Sequence, residues 1–245
     1  MGNVDHAQII SNIFISKFYK DFGKGRYFHP WMYYPEFSEL TALTRWATEN
    51  DKGTGSTLLT HSKLYNLIKC AKTCLRIEGS FWECGVYEGG SASVLAGVLS
   101  DTNKTLNLFD TFQGMPVSEP ENNDYHPLGK YATSSVSKLK SMFKYNYPDV
   151  YERINLVEGT IPETFESFDS EEIAFAHLDV DQYASIKSCL EFIWPRMSVG
   201  GIIVLDDYGD KDCRGALSAT EEFCNANDTH VVYCLEGQGL LIKNS

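Results

Sequence analysis

Short apolar runs separated by helical patterns fill the chain from Ser80 onward, and this alternation is typical of stacked strand, helix and strand units. Each run is four to seven residues long, roughly the length of a buried strand. The predicted strands are "SFWECGV" (Ser80–Val86), "TLNLFD" (Thr105–Asp110), "RINLVEG" (Arg153–Gly159), "IAFAHLD" (Ile173–Asp179) and "GIIVLDD" (Gly201–Asp207). Helices are expected in the gaps, so the pattern predicts an α/β fold with a mostly parallel sheet and helices on both faces.

The segments on either side of this region predict further elements. "VVYCLE" and "GLLIKN", separated by Gly237 and Gln238, are interpreted as a closing hairpin rather than another crossover. Before the first strand, "HSKLYNLIKCAKTCL" places its apolar residues on one helical face, which we expect to pack on the sheet. Residues 1–60, with the aromatic stretch "RYFHPWMYYPEF", are interpreted as a helical extension that forms a lid or an oligomer contact, and residues 61–245 as the core.

Composition narrows the possible functions. The chain has 245 residues, 43% hydrophobic and 13% aromatic, enough for one substantial core, so we expect a single domain. Its formal net charge of -12 argues against nucleic acid, whose phosphates are bound by clustered lysine and arginine. The seven cysteines include no CxxC pair, which is typical of reduced thiols in a cytoplasmic protein. No run of about eighteen apolar residues occurs, so we expect no membrane association.

A glycine-rich turn follows the first predicted strand, in "ECGVYEGGSASVLAGVL". Ligands of an open parallel sheet bind beyond the carboxyl ends of its strands. Gly85, Gly89 and Gly90 permit a tight turn, and Ser91 can start a helix whose free N–H groups attract an anion. The spacing differs from the G-x-G-x-x-G of a dinucleotide site, so an ordinary strand-to-helix turn stays an alternative.

Two acidic residues near this turn suggest a nucleoside cofactor. Asp110 ends the second predicted strand, twenty-five residues after Gly85, where a carboxylate can accept both hydroxyl hydrogens of a ribose. A turn aspartate or a helix cap is the alternative. Glu83 lies inside an apolar strand and is costly to bury unless it is paired. We expect it to meet a cation, such as the amino group of a cofactor, or to be a structural exception.

Paired carboxylates follow both the fourth and the fifth predicted strands. Asp179 and Asp181 end "HLDVD", and Asp206 and Asp207 end "IIVLDD". Neighbouring strands would crowd these four groups into one crevice, where a bound cation would offset their repulsion. The ligands are all oxygens, which favours a hard ion such as Mg²⁺. Strand alternation predicts that Asp179 and Asp181 point to the same side.

The segments "ECGVYEGGSA", "DTFQGMP", "HLDVDQY" and "GGIIVLDDY" together resemble the macrocin O-methyltransferase family, metal-dependent enzymes that methylate sugar hydroxyls with S-adenosylmethionine. The resemblance covers roughly Leu59 to Leu241. It implies a class I methyltransferase sheet of seven strands, the last one antiparallel. The family's usual "W-R" in the glycine motif is replaced here by Tyr87 and Glu88, and its "S-F-E-G" by Thr111 to Gly114.

The resemblance also assigns roles to individual residues. Asp179, Asp206 and Asp207 would hold Mg²⁺, and Asp181 would be the general base. His126, in the polar insert "ENNDYHPLGKY", is a rival base, and the insert is interpreted as a lid over the acceptor. The expected cofactor-binding residues are Glu83, Gly85, Tyr87, Gly89, Ser91, Asp110, Thr111, Phe112 and Thr160.

The implied reaction is direct transfer of the sulfonium methyl group to a hydroxyl of a sugar or glycosylated small molecule. A free carboxylate is a poor base for an alcohol, because their pKa values differ by roughly ten units, so the metal must supply most of the activation. A catechol-type metal-dependent methyltransferase, a nicotinamide oxidoreductase and a non-catalytic cofactor-binding module remain as alternatives. The aromatic N-terminus suggests a homo-oligomer.

Overall fold

A computed structural model describes residues 57–116 and 124–244, and within them seven strands form one sheet. The strands are β1 (Ser80–Cys84), β2 (Leu106–Asp110), β3 (Ile154–Glu158), β4 (Ile173–Leu178), β5 (Met197–Leu205), β6 (Val232–Tyr233) and β7 (Gly239–Ile242). Their order is β3-β2-β1-β4-β5-β7-β6, with β1 to β5 parallel and β7 antiparallel to both β5 and β6. The predicted α/β architecture is confirmed, including the antiparallel closing hairpin.

Helices cover both faces of this sheet. The α-helices among the described residues are α1 (His61–Thr73), α2 (Gly90–Val98), α3 (Val136–Asn146), α4 (Pro148–Tyr151), α5 (Tyr183–Ile193) and α6 (Arg214–Asn227). Short 3₁₀ turns span Cys74–Arg76, Glu163–Phe168, Trp194–Arg196 and Leu235–Gly237. Residues of α1 to α3 pack with Phe81 on one face, while residues of α5 and α6 pack with Trp82 on the other. This division follows from the alternation of side chains along a strand.

Two predicted boundaries differ from the structure. Strand β5 begins at Met197, before the predicted start at Gly201, because Met197 already pairs with Ile173 ahead of a register shift. The closing hairpin has a longer loop than the predicted pair Gly237 and Gln238. Pairing stops at Tyr233, and the 3₁₀ turn Leu235–Gly237 occupies the connection to β7.

The predicted N-terminal extension lies almost entirely outside the described residues, which begin at residue 57. Of the predicted lid "ENNDYHPLGKY", the first three residues lie outside them, and the rest, Asp124 to Tyr131, is described. Both interpretations stay predictions. Among the residues that are described, no helix combines the length and the apolar character needed to cross a membrane.

Candidate active site

A cavity opens where strands β1, β2, β4 and β5 end. Its lining includes one residue from each strand end: Gly85, Asp110, Asp179 and Asp206. Parallel strands end at the same edge of a sheet, which explains why segments far apart in sequence meet here. Of the other predicted site residues, those that line this cavity are Tyr87, Ser91, Thr111, Asp181 and Asp207.

The glycine turn after β1 passes directly against the end of β4. Gly85 has φ +87°, and a Cβ atom added to it would lie 1.8 Å from the carbonyl oxygen of Asp179. Gly89 has φ +82° and is the N-cap of α2, but a Cβ there would meet Leu139 of α3 at 2.7 Å. Gly85 therefore allows the turn to approach the site, whereas Gly89 serves the packing of α2 on α3 and does not line the cavity.

The Asp110 carboxylate fixes the shape of this turn. Its Oδ2 accepts hydrogen bonds from the backbone N–H groups of Val86 and Tyr87 at 2.7 and 2.9 Å. Its Oδ1 accepts one from the N–H of Phe112 at 2.7 Å. An ionised carboxylate offers about four lone-pair sites, so Asp110 keeps capacity for a ligand hydroxyl while it holds the loop. The turn-aspartate and ligand-binding interpretations are thus compatible.

Besides Gly89, three further predicted cofactor residues, Glu83, Phe112 and Thr160, do not line the cavity. The Phe112 ring packs against the hydrophobic core, and the Thr160 hydroxyl donates to Glu163 at 2.9 Å. Residues that the sequence did not single out line it instead, among them Lys63, Met115, Tyr131 and Ile161. Met115 and Tyr131 lie in the quoted segments "DTFQGMP" and "ENNDYHPLGKY" but were assigned no role there. The position of all four depends on how separate loops and helix α1 fold over the strand ends.

Glu83 is paired with a histidine rather than exposed to a ligand. It is opposite His177 in the β1–β4 register, its Oε1 is 2.8 Å from His177 Nδ1, and both side chains are fully buried. Burial opposes charge on the ring, but Asp206 and Glu83 together raise the pKa of His177 to about 10. His177 therefore supplies the positive charge that was expected beside Glu83, and no described group in the cavity does.

Three aspartates form an oxygen-only cluster. Asp179, Asp206 and Asp207 each offer a carboxylate oxygen, and these atoms lie within 4.8 Å of one another. Burial raises the pKa of Asp179, with added repulsion from Asp206, and burial likewise raises the pKa of Asp207. Such shifts indicate carboxylates that lack sufficient positive charge nearby. This donor set and its electrostatics fit a hard divalent cation such as Mg²⁺.

Asp206 differs from its two neighbours because it already has cationic partners. Lys63 of α1 places its Nζ 2.7 Å from Asp206 Oδ2 and 3.0 Å from the Asp206 carbonyl oxygen. The other oxygen, Oδ1, accepts from Gln238 at 2.8 Å and lies 3.8 Å from His177 Nε2. Although burial opposes ionisation, His177 and Lys63 lower the pKa of Asp206 to about 2. Asp206 is therefore ionised and held in place by the protein itself.

Asp181 belongs to a different group of side chains. Strand β4 ends at Leu178, and Asp181 adopts a left-handed conformation with φ 56° while its N–H donates to Asp207 Oδ2 at 2.9 Å. Strand alternation does not extend to Asp181, because it stops where the strand does, although both Asp179 and Asp181 line the cavity. Instead Asp181 Oδ1 lies 3.5 Å from His126 Nε2 and 3.2 Å from Cys213 Sγ.

The two candidate bases, Asp181 and His126, are thus neighbours. Hydrogen bonding to Asp181 raises the pKa of His126, and burial raises the pKa of the Cys213 thiol. The side chains of His126 and Asp181 are 12% and 15% exposed, so both are partly shielded from water. No sequence pattern singled out Cys213, because its approach to Asp181 depends on how α6 packs beside the end of β4.

Comparison with known proteins agrees with this arrangement. The sequence model of the macrocin O-methyltransferase family (TylF) matches residues 32–232. The chain belongs to the macrocin O-methyltransferase family. The resemblance found in the four sequence segments is thereby confirmed.

Two curated relatives show how far the likeness extends. The 8-demethyl-8-(2,3-dimethoxy-alpha-L-rhamnosyl)-tetracenomycin-C 4'-O-methyltransferase of Streptomyces olivaceus is 27% identical over 172 residues, which span 66% of this chain and 66% of that protein, just under two thirds. Mycinamicin III 3''-O-methyltransferase of Micromonospora griseorubida is 26% identical over 175 residues, 66% of this chain and 68% of that protein.

Solved structures agree on the fold. The O-methyltransferase NovP superposes with a TM-score of 0.72 at 18% identity, covering 85% of this chain and 98% of NovP. The calicheamicin methyltransferase CalS11 superposes with a TM-score of 0.63 at 21% identity, covering 91% of this chain and 98% of CalS11. The sheet is that of a class I methyltransferase, as the sequence segments implied.

Proposed function

We propose that this protein is an S-adenosylmethionine-dependent and Mg²⁺-dependent O-methyltransferase that acts on a hydroxyl of a sugar or a glycosylated small molecule. The observation that carries the proposal is one cavity that joins the glycine turn and Asp110 to the cluster of Asp179, Asp206 and Asp207. The names of the relatives, which describe methylation of rhamnosyl-tetracenomycin and of mycinamicin III, support a glycoside acceptor.

The cofactor end of the cavity has the chemistry that S-adenosylmethionine requires. The turn from Gly85 to Ser91 would bring backbone close to the methionine end, while Asp110 would accept a hydrogen bond from a ribose hydroxyl. Met115 and Ile161 supply apolar walls for the nucleoside. The fold family favours this cofactor over a nicotinamide.

The acceptor end combines a cation site with a proton acceptor. Bound Mg²⁺ would lower the pKa of a coordinated sugar hydroxyl, as it does for coordinated water. Asp179, Asp206 and Asp207 would hold that cation. Asp181, 3.5 Å from His126, would receive the hydroxyl proton when the methyl group passes from the cofactor sulfur to the hydroxyl oxygen. His126 orients Asp181 or shares its proton.

Replacing Asp110 tests the cofactor assignment. We expect Asp110→Ala to weaken S-adenosylhomocysteine binding by about 1.5 to 3 kcal/mol, the range for lost hydrogen bonds to a charged group. Binding would be measured by calorimetry, with S-adenosylhomocysteine and with an analogue that lacks the ribose 2'-hydroxyl. The wild type should bind the analogue more weakly than S-adenosylhomocysteine, whereas Asp110→Ala should bind the two equally. Glu158→Ala is the matched control, because Glu158 is the exposed partner of Asp110 on β3.

If the loss of the 2'-hydroxyl weakened binding equally in the wild type and in Asp110→Ala, the contact between Asp110 and the ribose would be contradicted. Asp110 would then act through the Val86 and Tyr87 N–H groups alone.

Metal removal tests the acceptor end. Because Asp179, Asp206 and Asp207 offer only oxygens, exhaustive chelation with EDTA should abolish methyl transfer, and added Mg²⁺ should restore it. Transfer of labelled methyl from S-adenosylmethionine would be measured with a panel of deoxysugar glycosides and with a catechol. Full activity after chelation would show that the cluster has another role. Methylation of the catechol without any glycoside would favour the catechol-type alternative.

A further inference from the structure

We propose that His126, Asp181 and Cys213 form a second metal site, which takes a borderline divalent cation such as Zn²⁺. Among the described residues, two groups of three or more histidine, cysteine or acidic side chains have ligand atoms that all lie within 4.8 Å of one another, and these three residues are one of them. The separations are 3.5 Å from His126 Nε2 to Asp181 Oδ1, 3.2 Å from Cys213 Sγ to Asp181 Oδ1 and 3.6 Å from Cys213 Sγ to His126 Nε2. Zinc bond lengths and tetrahedral angles require about 3.4 to 3.6 Å between such atoms. Two of the three separations fall in this range, and the third, from Cys213 Sγ to Asp181 Oδ1, is shorter, so a small side-chain movement would place the three ligands at three corners of a tetrahedron.

The backbone holds these three ligands in place. Asp124, two residues before His126, forms an antiparallel bridge with Cys213 itself, and its Oδ2 accepts from the N–H of Tyr183 at 3.0 Å. Asp181 is fixed by its own N–H bond to Asp207. The segment of His126, the start of α6 and the loop after β4 are therefore joined around the site before any ion binds.

Ligand chemistry separates this site from the aspartate cluster. Thiolate and imidazole ligands suit zinc, whereas three carboxylates suit magnesium. The two sites touch through a single hydrogen bond, from the Asp181 N–H to Asp207. Three protein ligands leave one tetrahedral position open, and Asp181 lines the cavity from which water or another ligand could fill it.

Lys130 opposes metal binding. Its Nζ lies 2.9 Å from His126 Nδ1 and 4.5 Å from the centre of the Tyr131 ring. An ammonium donating to Nδ1 requires the ring proton on Nε2, the atom that must bind the metal. On binding, the ring proton therefore moves to Nδ1, Lys130 moves away, and the Cys213 thiol releases its proton to solvent.

The consequence for activity rests on the proposed function. Asp181 is the proton acceptor there, so a cation bound to its Oδ1 removes the base. Mg²⁺ in the aspartate cluster would then support methyl transfer, and Zn²⁺ at His126, Asp181 and Cys213 would inhibit it. The enzyme would sense the availability of a second metal through the side chain that its reaction needs.

Cobalt is the spectroscopic probe for this site. Metal-stripped full-length protein, with Mg²⁺ in excess and with no cofactor or acceptor, would be titrated with Co²⁺. We expect a thiolate-to-cobalt charge-transfer band in the wild type that Zn²⁺ abolishes by displacement. Cys213→Ser should lose the band. His126→Gln should weaken Co²⁺ binding by about tenfold or more. Replacing a residue that only hydrogen-bonds to a metal ligand already weakens metal binding by about that factor.

Two further variants make the assignment specific. Cys234→Ser is the matched control, since Cys234 is the partly exposed thiol, and it should keep the band. Lys130→Met should bind cobalt more tightly than the wild type. Absence of the band in the wild type, or its survival in Cys213→Ser, would overturn the proposal. Because no substrate is present, that failure would leave the methyltransferase proposal standing, and loss of methyl transfer would not affect the cobalt result.

Discussion

Asp181→Asn should lower kcat by about 100-fold or more, the scale of a lost general base. Asparagine keeps the shape of the side chain and one oxygen acceptor, but it cannot take a proton at neutral pH. The backbone N–H that donates to Asp207 is unchanged, so the aspartate cluster should keep its geometry. Cofactor and Mg²⁺ affinities, measured by calorimetry, should therefore stay near those of the wild type.

Asp179→Asn is the matched comparison for this variant. It removes a member of the oxygen-only cluster, so Mg²⁺ binding should weaken and part of the lost activity should return at high Mg²⁺. Both variants would be titrated with Mg²⁺ at saturating cofactor. Rescue of Asp181→Asn but not of Asp179→Asn would show that the two roles are reversed. Equal loss in His126→Ala, with acceptor affinity kept, would assign the base to His126.

Glu83→Leu should lower the free energy of unfolding by about 3 to 5 kcal/mol, the range for removing one partner of a buried ion pair. The reason is that the variant leaves His177 fully buried without the carboxylate that is 2.8 Å from its Nδ1. Urea unfolding at constant pH measures the effect, and His177→Leu should also be destabilising.

The double variant decides whether the loss comes from the pair. Glu83→Leu with His177→Leu should cost less than the sum of the two single changes, because neither charge is left alone. Asp206 loses a neighbour in both His177 variants, which makes the Glu83→Leu single change the cleaner measurement. Additive losses would contradict the pairing.

Most of the fold could be predicted because its signals are local. The apolar runs that became β1, β2, β3 and β4 match the structure within one or two residues at their starts and ends. The meeting of Asp179 with Asp206 and Asp207 followed from the general rule that parallel strands end at one edge.

The parts of the site that could not be predicted from the sequence depend on tertiary structure. The partner of Glu83 is set by the register of β1 against β4, and the position of Lys63 is set by the packing of α1 over the strand ends. Asp181 lies beyond the end of β4 with a left-handed backbone, a conformation that an aspartate tolerates but a strand pattern does not reveal. The contacts of these side chains, and the place of Lys63 in the site, could be described only once the chain was folded.

The short strand β6 limits how copies of this chain could assemble. Within residues 57–116 and 124–244 it forms one edge of the sheet, and it is only two residues long, with Val232 and Tyr233 53% and 63% exposed. Short edge strands are a common protection against pairing with a strand of another molecule, since they offer few free backbone groups. A continuous sheet across two subunits at this edge would rest on two residues. We therefore expect that any self-association uses side-chain packing on another surface, and that β6 helps to keep concentrated protein from aggregating edge to edge.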